Sequence, residues 1–237
     1  MAGSEPRPVQ QVARAALPRR LASLMSIPSV SAIADVLGLW GEDGWLTPPL
    51  HPVVGASQPV IGRALTVELY AAATGEGFGA MYDLLSSDLS ERVLVFAGAE
   101  SIPGAIWGEI LATAAAGQDA VATLVEGWVR DVSDLTDIGR PVYASGVRPN
   151  GPGGMAQIRA IDCPVEISGI TVNPDDHVVA DLSGCVRIRA EHLDEVLGAA
   201  RRYVAGETAV LAALAEGEPL SAAYRHKKSV VDELRKK

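Results

Sequence analysis

The stretch between residues 92 and 125 constrains this chain more than any other. RVLVF (92–96) is a short apolar run closed by Gly98, the spacing over 106–116 predicts a helix with Gly117 as its C-cap, and AVATLV (120–125) is again apolar. Two runs too short to be helices, joined by one helical period, make a βαβ unit. Its strands are parallel and buried, and its crossover is expected to be right-handed. A chain containing this unit is an α/β protein.

The flanking sequence extends that core. Residues 9–27 read as a helix broken near Pro18, and 29–37 as an amphipathic helix stopped by Gly38. Residues 44–59, rich in Pro, Gly and His, read as a loop; 60–70 alternate as a strand, and a turn follows at 74–77. A brief helix at 132–138 precedes short strands at 142–144, 157–161, 165–167, 177–180 and 185–189, expected to be antiparallel. Residues 192–216 and 221–235 read as C-terminal helices, the last charged and solvated. No linker interrupts the series, and 48% hydrophobic residues in 237 supply a full core. The expectation is a single domain over 1–237, with an α/β core from about 20 to 190 and a helical segment from about 191 to 237.

Composition excludes several functions. A net charge of −9, with no basic stripe interleaved with aromatics, disfavours nucleic acid as a ligand. The first twenty residues lack a continuous apolar h-region, and no run is long enough to span a membrane, so a soluble, cytoplasmic protein is expected. Cys163 and Cys185 have no CxxC spacing and read as buried core thiols; the four histidines show no zinc-ligand spacing. Lysine occurs only at 227, 228, 236 and 237. A lysine-free core argues against Schiff-base chemistry, pyridoxal phosphate and a P-loop. If carbonyl chemistry is performed, a metal ion or an arginine must polarise the carbonyl.

Three segments could carry chemistry. LVEGWVRD (124–131) ends a strand and enters a turn, which puts Arg130 and Asp131 at the mouth of the sheet where α/β folds bind ligands. A carboxylate oxygen there suits Mg²⁺ or Mn²⁺, and a guanidinium forks onto a substrate carboxylate or an enolate. The same pair can equally be a helix N-cap and a surface ion pair. PGAIWGEILA (103–112) sets glycines at a helix start whose unpaired N–H groups could receive a small carboxylate, with Glu109 as a base or merely as a complement to the helix dipole. SGVRPNGPGG (145–154) has no Lys-Ser/Thr and reads as a flexible rim loop rather than a phosphate cradle. Trp40, Trp45, Trp107 and Trp128 read as core or interface residues.

GRALTV (62–67), RVLVF (92–96), GEILA (108–112), GWVRD (127–131), PVYASG (141–146) and NPDD (173–176) with Ala180 and Asp181 resemble, in order, the family of 4-hydroxy-4-methyl-2-oxoglutarate aldolase and the regulator of ribonuclease activity A. The resemblance implies a three-layer β/β/α swivelling-domain-like fold with mixed sheets and C-terminal helices, assembled as a homotrimer or hexamer. It also implies a divalent-metal-dependent lyase that cleaves 4-hydroxy-2-oxo acids to release pyruvate, or decarboxylates oxaloacetate. In that reading Asp131 anchors Mg²⁺ or Mn²⁺, Arg130 holds the 2-oxo acid and stabilises its enolate, and the helix start formed by Gly108, Glu109, Ile110 and Leu111 receives the carboxylate. Glu109 positions the water that takes the hydroxyl proton. The alternative is a non-catalytic binding protein like the ribonuclease regulator, whose kind tends to lack the metal-binding Asp. Three positions depart from the family pattern: Glu109 and Glu126 stand where Asp is usual, and Asp175 stands for a Gly at a turn that can demand positive φ. Glu207 is compared with a glutamate that aldolases supply from a neighbouring subunit.

Overall fold

The computed structural model describes residues 27–75 and 77–235; the helix expected over 9–27 lies outside them but for its last position. In chain order the elements are α1 (Val30–Leu39), β1 (His51–Val54), β2 (Val60–Ala71), α2 (Gly79–Leu84), β3 (Arg92–Ala97), α3 (Glu109–Gly117), β4 (Ala122–Val129), α4 (Val132–Ile138), β5 (Val142–Val147), β6 (Ala156–Ile161), β7 (Val165–Ile167), β8 (Ile170–Val172), β9 (His177–Asp181), β10 (Gly184–Ile188), α5 (Leu193–Ala215), α6 (Leu220–Ala223) and α7 (Arg225–Leu234). The described residues divide into two compact units, Asp43–Leu193 and a second made of those before Asp43 together with those after Leu193.

In the first unit, eight strands form one mixed sheet in the order β1-β5-β4-β3-β2-β9-β10, with β6 also pairing β2, while β7 and β8 form a separate hairpin. Strands β2, β3, β4 and β5 are mutually parallel, because α2, α3 and α4 carry the chain back between them. The expectation that strand 142–144 belongs to an antiparallel part is thereby corrected: β5 runs parallel to β4 and antiparallel only to β1. Strands β6 and β9 pair antiparallel with opposite ends of the long β2. Trp45, ahead of β1 at one end of the sheet, bridges Val186 of β10 at the other, so the sheet is nearly closed.

Period-two alternation divides the core. Leu94 and Phe96 of β3 pack with Met81, Ala112 and Leu135 on the helical side, whereas Val93 and Val95 pack with Val165, Ile167 and Val172 of the β7–β8 hairpin. Both faces of the central strands are therefore dry, which explains their continuous apolar sequence. Leu94 is fully buried, and its truncation to Ala would cost roughly 2–5 kcal/mol. The hairpin closes through Ser168 and Gly169, both at positive φ (45° and 81°), the geometry of a tight turn whose twist matches its strands.

Several boundaries differ from the sequence expectation. The loop over 44–59 contains the edge strand β1, β8 and α2 appear where no element is expected, and the helix expected from 106 begins at Glu109. Cys185 is buried as expected, but Cys163 is partly exposed. Of the tryptophans, Trp107 is in the core, while Trp45 is exposed.

In the second unit, Ser29 caps α1 by accepting the Ala32 N–H at 3.3 Å, and α1 runs through Gly38. Trp40 Nε1 donates to the Leu234 carbonyl at 3.1 Å, and the Tyr203 hydroxyl donates to Asp35 at 2.7 Å. The helix expected over 221–235 breaks at Tyr224 into α6 and α7. Its charged face is not wholly solvated: Lys227 Nζ meets Glu207 Oε1 at 3.2 Å and lies 4.5 Å from the Tyr203 ring. Glu207 thus has an intrachain partner on α7.

Candidate functional site

Strand β4 does not stop where its apolar run ends. It continues to Val129, with an irregularity in its pairing to β5 between Val125 and Trp128. There Glu126 turns its carboxylate onto two backbone donors, accepting from Gly98 N–H at 3.0 Å and Ser168 N–H at 2.6 Å. Its role here is to tie β4 to the segment after β3 and to the β7–β8 turn. Beyond the irregularity the strand captures residues 105–107 as a parallel neighbour: Ile106 N–H donates to Trp128 O at 3.0 Å, and Arg130 N–H to Trp107 O at 2.9 Å. Residues 106–108 are therefore extended, and helix α3 starts only after them.

This pairing brings the two sequence candidates together. Gly108 is the N-cap of α3, and Arg130 and Asp131 follow β4 directly. Asp131 occupies the N-cap position of α4 with φ 57° and ψ 45°, the left-handed region that Asp tolerates better than most residues. Its carboxylate does not cap α4. It reaches across to α3, where Oδ2 accepts the Glu109 N–H at 3.2 Å, and it lies 3.4 Å from Arg130 Nε. The N-cap expectation is therefore realised on a different helix from the one the sequence suggests, and the ion-pair expectation holds. Among the described residues, Ile110 N–H and Leu111 N–H have no protein acceptor, as is usual for a first helical turn.

A cavity of about 390 Å³ opens beside this junction, at the carboxyl end of a parallel strand where α/β folds bind ligands. Gly108, Ile110, Leu111 and Arg130 line it, together with Phe78 and Tyr82 from α2 and its approach. Glu109 and Asp131 are not among its lining residues: Asp131, with about a third of its side chain exposed, sits at the junction beside Arg130, and Glu109 begins α3 exposed to solvent. Trp107 forms part of the wall at 1% exposure, its ring 5.3 Å from Phe96.

The rim expected at 145–154 is in place, although residues 145–147 belong to β5. Asn150 O accepts the Ala105 N–H at 2.9 Å, and Asn150 Nδ2 donates to Pro103 O at 3.0 Å. The loop is pinned at Asn150, and its Pro152–Gly154 tip lines the cavity. Phe78 and Tyr82 were not legible as site residues, because a six-residue helix carries too little periodicity to announce a face, whereas Pro152 lies in the loop expected to form the rim. The NPDD turn behaves as its departure implies: Asp175 has φ 66° and pairs with Arg92 at 2.5 Å and Arg63 at 3.5 Å.

The histidine expectation stands beside a plain observation: among the described residues, no group of three or more His, Cys, Asp or Glu is placed to hold a metal. Among the described residues the junction offers the Asp131 carboxylate, with Glu109 next to it at the start of α3. That fits Mg²⁺ or Mn²⁺, hard ions that keep several waters and need only one or two carboxylates, and it does not fit zinc held by a tetrahedral protein cage.

The layering of helices, curved mixed sheet and β-hairpin, with a cavity at the end of the parallel strands, defines a three-layer β/β/α protein of the swivelling-domain type. The sequence model described as RraA-like, Aldolase/RraA, matches residues 30–187, and the chain belongs to this family. It is 27% identical over 208 residues to protein DlpA of Legionella pneumophila, an alignment that covers 87% of this chain but only 33% of DlpA, so the chain spans about a third of that relative's length. A crystal structure of an uncharacterized protein from Pseudomonas syringae pv. tomato superposes with a TM-score of 0.73 at 24% identity, covering 87% of this chain and 96% of that one. Streptomyces coelicolor RraAS2, described as an unusual member of the RNase ES inhibitor RraA family, gives 0.64 at 23% identity, covering 83% and 93%. These two likenesses show the fold. The family joins aldolases with ribonuclease regulators. No helix among the described residues is long and apolar enough to cross a membrane.

Proposed function

We propose that this protein is a divalent-metal-dependent lyase that cleaves 4-hydroxy-2-oxo acids to release pyruvate, and that decarboxylates oxaloacetate through the same enolate. The observation that carries the reading is the cavity lined by the Arg130 side chain and the open N-terminus of α3, with the Asp131 carboxylate in contact with both. The absence of lysine before Lys227 agrees with chemistry that uses no Schiff base.

Asp131 would hold Mg²⁺ or Mn²⁺, a hard ion suited to a carboxylate ligand. When bound, the ion acts as a Lewis acid toward the 2-oxo group. The Ile110 and Leu111 N–H groups receive the substrate carboxylate at the positive end of the helix. Arg130 forks onto the 2-oxo acid and offsets the negative charge that develops as the C3–C4 bond breaks. The 4-hydroxyl gives up its proton through a water positioned by Glu109; C4 leaves as a carbonyl, and C3 of the enolate takes up a proton to give pyruvate. Glu109, one methylene longer than Asp, reaches that water from its exposed position at the helix start. The assembly consistent with the family resemblance is a homotrimer or hexamer.

The test is pyruvate release from oxaloacetate and from 4-hydroxy-2-oxo acids with Mg²⁺ or Mn²⁺, compared with Asp131→Asn. Asn keeps the left-handed backbone but removes the anionic ligand. Release that depends on metal and is abolished in the variant supports the lyase. Its absence in the parent protein, together with capture of a ribonuclease, establishes the regulator instead.

A further inference from the structure

Taking the retro-aldol part of the lyase reading as its base, we infer that the distal end of the cleaved substrate is uncharged and apolar: the group carried on C4 is an alkyl or aryl group rather than a second carboxylate.

The cavity has one charged end. Arg130 is the sole charged side chain among the described residues that line it, and the substrate's own carboxylate and enolate engage it together with the α3 N–H groups. The cavity's other large side chains include Phe78, Tyr82, Trp107, Ile110, Leu111 and Pro152, with small residues and glycine backbone between them. Two other arginines among the described residues are committed elsewhere. Arg148 lies over the Trp128 ring at 3.8 Å and does not line the cavity. Arg159, in the groove that shares Gly77 with this cavity, pairs with Glu68 at 2.7 Å. A distal carboxylate would meet no second cation among the described lining residues, only neutral donors such as the Tyr82 hydroxyl, and would give up water against a mostly apolar wall, which is unfavourable. An apolar tail reverses the sign, because Ile110 and Tyr82, 76% and 60% exposed, would themselves be covered. At about 390 Å³ the cavity is also of ligand size rather than a slot for pyruvate alone.

Binding and turnover separate this inference from the reading beneath it. With Mg²⁺ present, 4-phenyl-2-oxobutanoate, 4-methyl-2-oxopentanoate and 2-oxoglutarate, none of which has a 4-hydroxyl to cleave, are titrated by calorimetry. The apolar acids are expected to bind at least ~10-fold more tightly than 2-oxoglutarate. Ile110→Arg, at an exposed position that the fold tolerates, should narrow that ratio by bringing a cation to the apolar wall. In turnover, 4-hydroxy-4-phenyl-2-oxobutanoate should exceed 4-hydroxy-2-oxoglutarate in kcat/KM by a similar factor. If 2-oxoglutarate binds as tightly as the apolar acids, or if none of the three binds, the inference is overturned. Preferential binding of the apolar acids without cleavage of either hydroxy acid upholds the inference and sinks the lyase; faster cleavage of the dicarboxylate does the reverse.

Discussion

A Cβ placed on Gly108 would stand 2.6 Å from Asp131 Oδ2 and 2.9 Å from Arg130 Cγ. The backbone at Gly108 is extended (φ −168°), so this glycine is required for space and not for its dihedral angles. It lets the end of β4 and the start of α3 touch, and with them the carboxylate, the guanidinium and the open helix turn.

Gly108→Ala should therefore displace Arg130 and Asp131 by a large part of an ångström while leaving the fold intact. A misplacement of that order costs about 10²-fold in turnover. The check is kcat/KM for metal-dependent pyruvate release beside the thermal midpoint. Full activity in the alanine variant would show that the junction has no part in catalysis.

Glu126 holds Gly98 and Ser168 through two charge-assisted bonds of 3.0 and 2.6 Å. Glu126→Ala should destabilise the protein by on the order of 2–3 kcal/mol. Glu126→Gln is nearly isosteric, but its amide N–H would face one of the two backbone donors, so a substantial part of that loss should persist. Urea unfolding at neutral pH measures both, and an unaltered Gln variant would contradict the double-acceptor role.

Burial pushes the Tyr143 hydroxyl up from an ordinary 10.0 to about 12. Its ring is fully buried, and its hydroxyl donates to Asp181 O at 3.0 Å. The folded chain keeps this proton over a range where the unfolded chain has lost it. The resulting stability is complete below about pH 10 and falls as pH rises toward 12, by about 1.4 kcal/mol per pH unit. Burial raises the Cys185 thiol as well, with the same sign and an earlier onset. Tyr143→Phe should flatten the decline between 10 and 12 in pH-dependent urea unfolding; a decline as steep as the parent's would assign it to other groups.

In the helical unit, burial alone would lower the Lys227 ammonium, yet hydrogen bonds to Tyr203 and Glu207 and the charge on Glu207 outweigh it and hold the group above its ordinary range. A double-mutant cycle between Lys227→Met and Glu207→Gln should show a coupling of roughly 1 kcal/mol. Chemical denaturation reads it directly, and additivity of the two substitutions would mean that the pair contributes no coupling.

The local sequence determined most of the elements and picked out the candidate groups of the proposed reaction. The β3-α3-β4 unit was legible because its signals are local: two short apolar runs, one helical period and a glycine after each. Arg130 and Asp131 were legible as candidates because they follow such a run, and the missing core lysine narrowed their chemistry without reference to shape. Tertiary structure decided the rest. Residues 106–108 have the composition of a helix start, yet the end of β4 offers them unpaired backbone groups and captures them as an extended segment. β1 was hidden because a four-residue edge strand containing Pro52 exists only by pairing with β5. Asp131 has its own helix to cap, and only the approach of α3 turns its carboxylate away. The apolar wall from Phe78, Tyr82 and Pro152 comes from segments far apart in the chain. Periodicity and residue type are properties of neighbours along the chain, whereas capture, capping and cavity walls depend on which backbone groups lie across a gap, and that is fixed only when the sheet closes.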